Sequence, residues 1–227
     1  MNLKYIIISI IIGLFFPLIS FSQNLSDDKK KELITLYNQS QDYLGQGNYD
    51  KAIELKKELF NNSKNLDPTS KKLFGGLSAY DLAQIYSTIK NDLHQYIYWL
   101  NQAELCDFPG AAGLLGDAYL TGKYGVSQDF QKAKYYYEKS DEGRCKWNLA
   151  TMYSKDGEFG RNDREWLKYT NQAVEKNDPD AQFVLGICYL SGEIVNKDID
   201  KGINLIKAAA QQNHIKAIKF IEEYNIK

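Results

Sequence analysis

A small residue followed three positions later by tyrosine occurs five times in this chain, at Ser40 and Tyr43, Ala83 and Tyr86, Gly116 and Tyr119, Ala150 and Tyr153, and Gly186 and Tyr189. The tyrosines are separated by 43, 33, 34 and 36 residues. Positions i and i+3 lie on one face of a helix. The small residue lets a neighbouring helix come close, and the tyrosine fills the space beside it. A break and a second amphipathic run follow each pair. After Tyr119 come Gly122 and Gly125, then Asp129, Lys132, Ala133 and Tyr136. After Tyr189 comes Gly192, then Asp198, Lys201, Gly202 and Leu205. Glycine at the break permits a left-handed turn. Asp129 and Asp198 can accept the free amides of the next helix. The apolar spacing is three and four throughout, and no stretch alternates as a strand.

These residues predict an all-α chain of about five antiparallel helix-turn-helix units, each too small to bury its own face and so stacked on its neighbours. The expected units are 33–66, 72–107, 110–143, 144–177 and 179–213, with a capping helix over 214–224, the whole forming a single repeat domain over 23–227. In the capping helix Ile215, Ala217, Ile218, Ile221 and Tyr224 share one side, opposite Lys216, Lys219, Glu222 and Glu223.

The run Ala112-x-x-Leu115-Gly116-x-x-Tyr119-x-x-Gly122-x-x-Gly125-Val126-x-x-Asp129-x-x-Lys132-Ala133-x-x-Tyr136 resembles the Sel-one-like repeat, a relative of the tetratricopeptide repeat. Residues 180–213 resemble it through Ala181, Leu185, Gly186, Tyr189, Gly192, Lys207, Ala208 and Ala209. The middle unit departs from it, with Ala150 for glycine and Asn162 for aspartate. Residues 33–66 are closer to a plain tetratricopeptide repeat, and 72–107 resemble either weakly. The resemblance implies an α-solenoid with a right-handed superhelix, whose first helices line a concave groove that binds a protein or peptide. The family pattern places there the position three before each small residue: Tyr37, Tyr80, Gly113, Trp147 and Phe183. Beside them, one after the small residue, lie Gln41, Gln84, Asp117, Thr151 and Ile187. Aromatics in a groove suit an extended or helical peptide. The same aromatics could instead pack between adjacent helices.

Tyr5 to Phe16 is apolar apart from Ser9 and Gly13, follows a short start carrying Lys4, and is succeeded by Ser20-Phe21-Ser22. That pattern reads as a secretory signal peptide, residues 1–22, cleaved after Ser22. The apolar run is about a dozen residues, whereas a spanning helix needs about 20. The expectation is a secreted or periplasmic protein with no stable membrane insertion after cleavage.

With 28 basic and 29 acidic residues the net charge is -1, so no broad electrostatic attraction to nucleic acid or an anionic membrane is expected. Cys106, Cys145 and Cys188 are odd in number and lack C-x-x-C spacing, so they read as small buried residues in helices rather than as a disulfide framework or zinc site. The only histidines, His94 and His214, stand in no catalytic or metal motif. Gly110-x-x-Gly113-x-x-Gly116 lacks the Gly-Lys-Ser/Thr of a phosphate loop. A cysteine-rich secreted group of similar repeat proteins has two cysteines per unit, a pattern missing here. The reading is a non-catalytic scaffold without a cofactor. The alternative is a cell-wall-directed hydrolase, or a glycan or small-molecule binder, using the same groove.

Overall fold

The computed structural model describes residues 25–226. The expected signal peptide and its cleavage point lie outside the described residues. The described residues are helical and fall into two compact units. One runs up to Leu115 and includes Lys123–Val126; the other comprises Gly116–Gly122 and everything from Ser127 onward. No helix among them is long and apolar enough to cross a membrane.

In the first unit α1 (Asp27–Gly45) pairs with α2 (Tyr49–Ser63), and α3 (Leu77–Thr88) with α4 (Leu93–Glu104). Ser26 caps α1 by accepting the Lys29 amide, so this helix starts six residues before the expected position 33. Asn48 and Asp92 cap α2 and α4 in the same way. Between the pairs lie a one-turn helix, Pro68–Ser70, and a π-helical turn, Lys71–Gly76. These nine residues account for the long spacing of 43 between Tyr43 and Tyr86. The π turn brings Leu73 and Phe74 into a core with Leu33, Tyr37, Leu59 and Leu77. A Cβ on Gly76 would meet Phe108 Cβ at 2.9 Å, so the turn is tight enough to require glycine.

Helix α5 (Ala111–Thr121) contributes to both units. The second unit continues with α6 (Phe130–Lys139), α7 (Gly143–Met152), α8 (Asp163–Glu175), α9 (Pro179–Ser191), α10 (Ile199–Gln211) and α11 (Ile215–Glu223). Asp129 and Asp198 accept the amides of Lys132 and Lys201 at 3.0 Å each. Asn162, the departure from the pattern in the middle unit, does the same for Glu165 at 3.2 Å. An amide oxygen caps as well as a carboxylate, and each cap contributes about 1 kcal/mol. Gly192 ends α9 at φ 80, where a Cβ would be strained. The core holds Tyr137, Cys145, Leu149, Met152, Trp166, Tyr169 and Leu185.

One position recurs eight residues after the cap of every second helix: Lys56, Leu100, Tyr137, Thr170 and Ile206, each 0 % exposed. Where a glycine stands on the first helix, this residue fills its place. A Cβ on Gly116 would lie 2.5 Å from the Tyr137 ring, and one on Gly186 would lie 2.7 Å from Ile206 Cγ1. Size is therefore matched across these two helix pairs, Gly116 against Tyr137 and Gly186 against Ile206.

In the terminal helix α11, Ala217 is buried with Ile206 and Ala209, and Phe220 and Ile221 pack against them. Ile215 and Tyr224 are 68 % and 61 % exposed. Both were expected on the covered side, but Ile215 lies across the helix from the docking residues Ala217, Phe220 and Ile221, and Tyr224 shares their face only at the C-cap, its ring 4.5 Å from that of Phe220.

All three cysteines are free; Cys106 and Cys145 are buried and Cys188 half-buried. Burial raises each thiol above the usual range, that of Cys145 to about 11. The thiolate is the reactive form, so alkylation of Cys145 in the folded protein at pH 8 should be slow. Denaturation without reductant should then expose three modifiable thiols, counted by mass spectrometry. A count of one would contradict free cysteines.

Candidate functional site

The first-helix face of each unit is organised by a polar clasp between successive repeats. In the first unit Gln41 Nε2 donates to Asp81 Oδ2 at 3.2 Å, and Lys56 Nζ donates to the same oxygen at 2.5 Å. The Lys56 side chain is 0 % exposed and that of Asp81 7 %. The Lys56 ammonium also lies 5.1 Å from the centre of the Tyr37 ring. Burial, with the Asp81 charge adding to it, pushes the Tyr37 hydroxyl well above its usual range, opposed by a hydrogen bond with Gln41.

The second unit repeats the register. Asp117 stands where Gln41 does, and Asn148 where Asp81 does, each counted from the small residue of its helix. Asn148 Nδ2 lies 3.4 Å from Asp117 Oδ1. Tyr137, at the position equivalent to Lys56, donates its hydroxyl to Asp117 Oδ1 at 2.7 Å. Arg144 Nη1 completes the clasp, 2.9 and 2.7 Å from the two Asp117 oxygens, while its Nη2 lies 3.1 Å from Glu142 Oε2. Burial first, and then the bond to Asp117, hold the Tyr137 hydroxyl in its protonated form. Sequence reasoning passed over Lys56, Asp81, Tyr137 and Arg144. Their signal was the common position of Lys56 and Tyr137 after the cap.

The ten residues expected in the groove stand in different settings within their own units. Tyr37 is 3 % exposed and belongs to the core, because the π turn lays Leu73, Phe74 and Leu77 in the same cluster; it is not a groove residue. Gln41 and Asp117 are held in the clasps. Tyr80 is half-buried, its ring 5.1 Å from that of Phe108, and Gln84 is half-buried on the same helix. Gly113 is buried within α5. Phe183 and Ile187 are half-buried beneath α11, with Phe183 4.9 Å from His214 and 6.4 Å from Phe220 between ring centres. Trp147 is half-buried at the edge of the core, and Thr151, one turn further along α7, is exposed. Among the described residues no group of three or more His, Cys, Asp or Glu is placed to hold a metal ion.

Residues 109–140 and 179–214 match the family model described as the Sel1 repeat; these are the helix pairs α5–α6 and α9–α10. The chain is 28% identical over 169 residues to the ERAD-associated E3 ubiquitin-protein ligase component HRD3B of Arabidopsis thaliana, a match covering 69% of this chain and 26% of that protein. It is 27% identical over 153 residues to the chitin synthase regulator SKT5 of Saccharomyces cerevisiae, covering 61% of this chain and 21% of that one. The matches thus span about a quarter or less of either curated relative. Among solved structures it is similar to a protective antigen of uropathogenic Escherichia coli that displays an SLR fold. That similarity has a TM-score of 0.67 at 21% identity and covers 86% of this chain and 42% of the other.

Proposed function

We propose that this chain, whose residues 109–140 and 179–214 are Sel1 repeats, is an exported non-catalytic scaffold that holds another protein or peptide on the first-helix faces of its repeats. The observation that carries this is on α7. Trp147 and Thr151 are one turn apart on one helical face, the tryptophan half-buried and the threonine exposed. Arg144 and Asn148 on the same helix are anchored by the clasp to Asp117. A large aromatic held on a rigid helix beside fixed polar groups has the character of an interface anchor. Both curated relatives are named for what they do with other proteins, one as a regulator and one as a ligase component. Tyr80 and Gln84 are the corresponding contact candidates on α3.

Export rests on the apolar run before Ser22. The test is to capture the native protein from its host's envelope fraction and weigh both it and whatever co-purifies. The expected result is a chain beginning at Gln23 with a protein partner in stoichiometric amount. An uncleaved Met1 on a cytoplasmic pool would remove the export claim, and a chain that carries no protein would remove the scaffold claim.

A further inference from the structure

The terminal helix α11 is capped by an imidazole. His214 Nδ1 accepts the Ala217 amide N–H at 3.1 Å, and its Nε2 lies 3.1 Å from Asp180 Oδ1 on α9. A ring nitrogen that accepts carries no proton, so the hydrogen-bond pattern assigns the proton to Nε2, which donates to Asp180. One repeat earlier, at the same cap position, Asp178 Oδ1 accepts the Ala181 amide at 2.9 Å. A carboxylate keeps its acceptor when ionised. An imidazole loses this one on taking a proton, and Ala217, at 0 % exposed, leaves water little room to substitute.

The ring also sits where two elements meet. Its side chain is 12 % exposed, and it packs against Phe183, which in turn meets Phe220 of α11. The charged groups facing it are the carboxylates of Asp178, which caps α9, and of Asp180 on α9. At the end of α10 the neutral Gln212 donates to Gln182 at 2.8 Å. On α11 itself Lys216 and Lys219 are exposed.

We propose that His214 is a pH-sensitive latch: as the neutral imidazole it closes α11 onto α9, and on protonation it releases the first turn of α11 and uncovers Phe183 and Ile187. The latch acts within the second unit and does not depend on a partner. Hydrogen exchange of the full chain between about pH 8 and pH 5, across which an imidazole changes charge, tests it. After correction for intrinsic rates, protection over 215–223 should fall about fivefold in acid, the factor given by losing a cap of about 1 kcal/mol. Protection over α8 should hold. His214→Asp, which installs the acceptor of the preceding repeat, should keep α11 protected at both ends of the range. His94→Gln, which removes the other histidine, should behave as the unaltered chain does. Constant protection of α11 in the unaltered chain would overturn the proposal, as would an equal acid loss in His214→Asp. Nitrogen shifts showing the proton on Nδ1 at pH 8 would overturn it as well.

Discussion

Asp81→Ala should destabilise the protein by about 3–5 kcal/mol, because it leaves the Lys56 ammonium buried without its carboxylate. Lys56 is 0 % exposed, so water cannot take the place of Asp81. For a chain of this size the loss corresponds to a melting temperature about 10 °C lower. Lys56→Met also breaks the pair, but Asp81 keeps the Gln41 amide and should suffer less. The instructive variant is Lys56→Met combined with Asp81→Leu. An apolar pair of similar size removes both desolvated charges, and such replacements are often neutral or stabilising. Recovery in the double variant, read by thermal denaturation, would show that the pair costs nearly as much to bury as it returns. If Asp81→Ala melts like the unaltered protein, Lys56 is not buried in solution.

Gly116→Leu should have an effect of similar size. Replacing a mid-helix glycine normally gains up to about 1 kcal/mol in helix propensity. Here a Cβ alone would lie 2.5 Å from two carbons of the Tyr137 ring. That ring cannot retreat, since its hydroxyl is tied to Asp117 and it is 0 % exposed. Overpacking of this kind costs about 1–3 kcal/mol, occasionally more, and leucine should reach the upper end. Gly45→Ala is the control. Gly45 is the last residue of α1, a Cβ there meets nothing within 4 Å, and the change should be neutral or slightly stabilising. Equal melting temperatures for Gly116→Leu and the unaltered chain would mean that α5 and α6 do not pack through this position.

What could be read from the sequence was local. The caps at Asp129 and Asp198 and the close approach at Gly116 and Gly186 depend on residues within one repeat, and the structure has them where their spacing put them. Asn162 looked like a weakened repeat only because its type differs; its function as a cap is unchanged. What could not be read depended on elements brought in from elsewhere. The spacing of 43 between Tyr43 and Tyr86 announced extra residues, but not that they form a π turn bringing Leu73 and Phe74 into the core around Tyr37. Lys56 sits in an amphipathic helix among other lysines and glutamates, so its burial was invisible one repeat at a time. Phe183 was assigned to a surface from its repeat position, while α11, the helix that covers it, carries the apolar residues responsible at Ala217, Phe220 and Ile221.

The claim that a first-helix face binds a protein is tested most directly by measuring affinity and stability together for Trp147→Ala against a captured partner. Tyr153→Ala is the internal reference, since Tyr153 stacks on Tyr169 at 5.9 Å with the rings 13° apart and belongs to the packing of the repeat. The account predicts that Trp147→Ala weakens binding by about 2 kcal/mol, roughly thirtyfold, and lowers the melting temperature less than Tyr153→Ala does. Unchanged affinity in Trp147→Ala, with a fall in stability as steep as that of Tyr153→Ala, would contradict it and place Trp147 among the core residues.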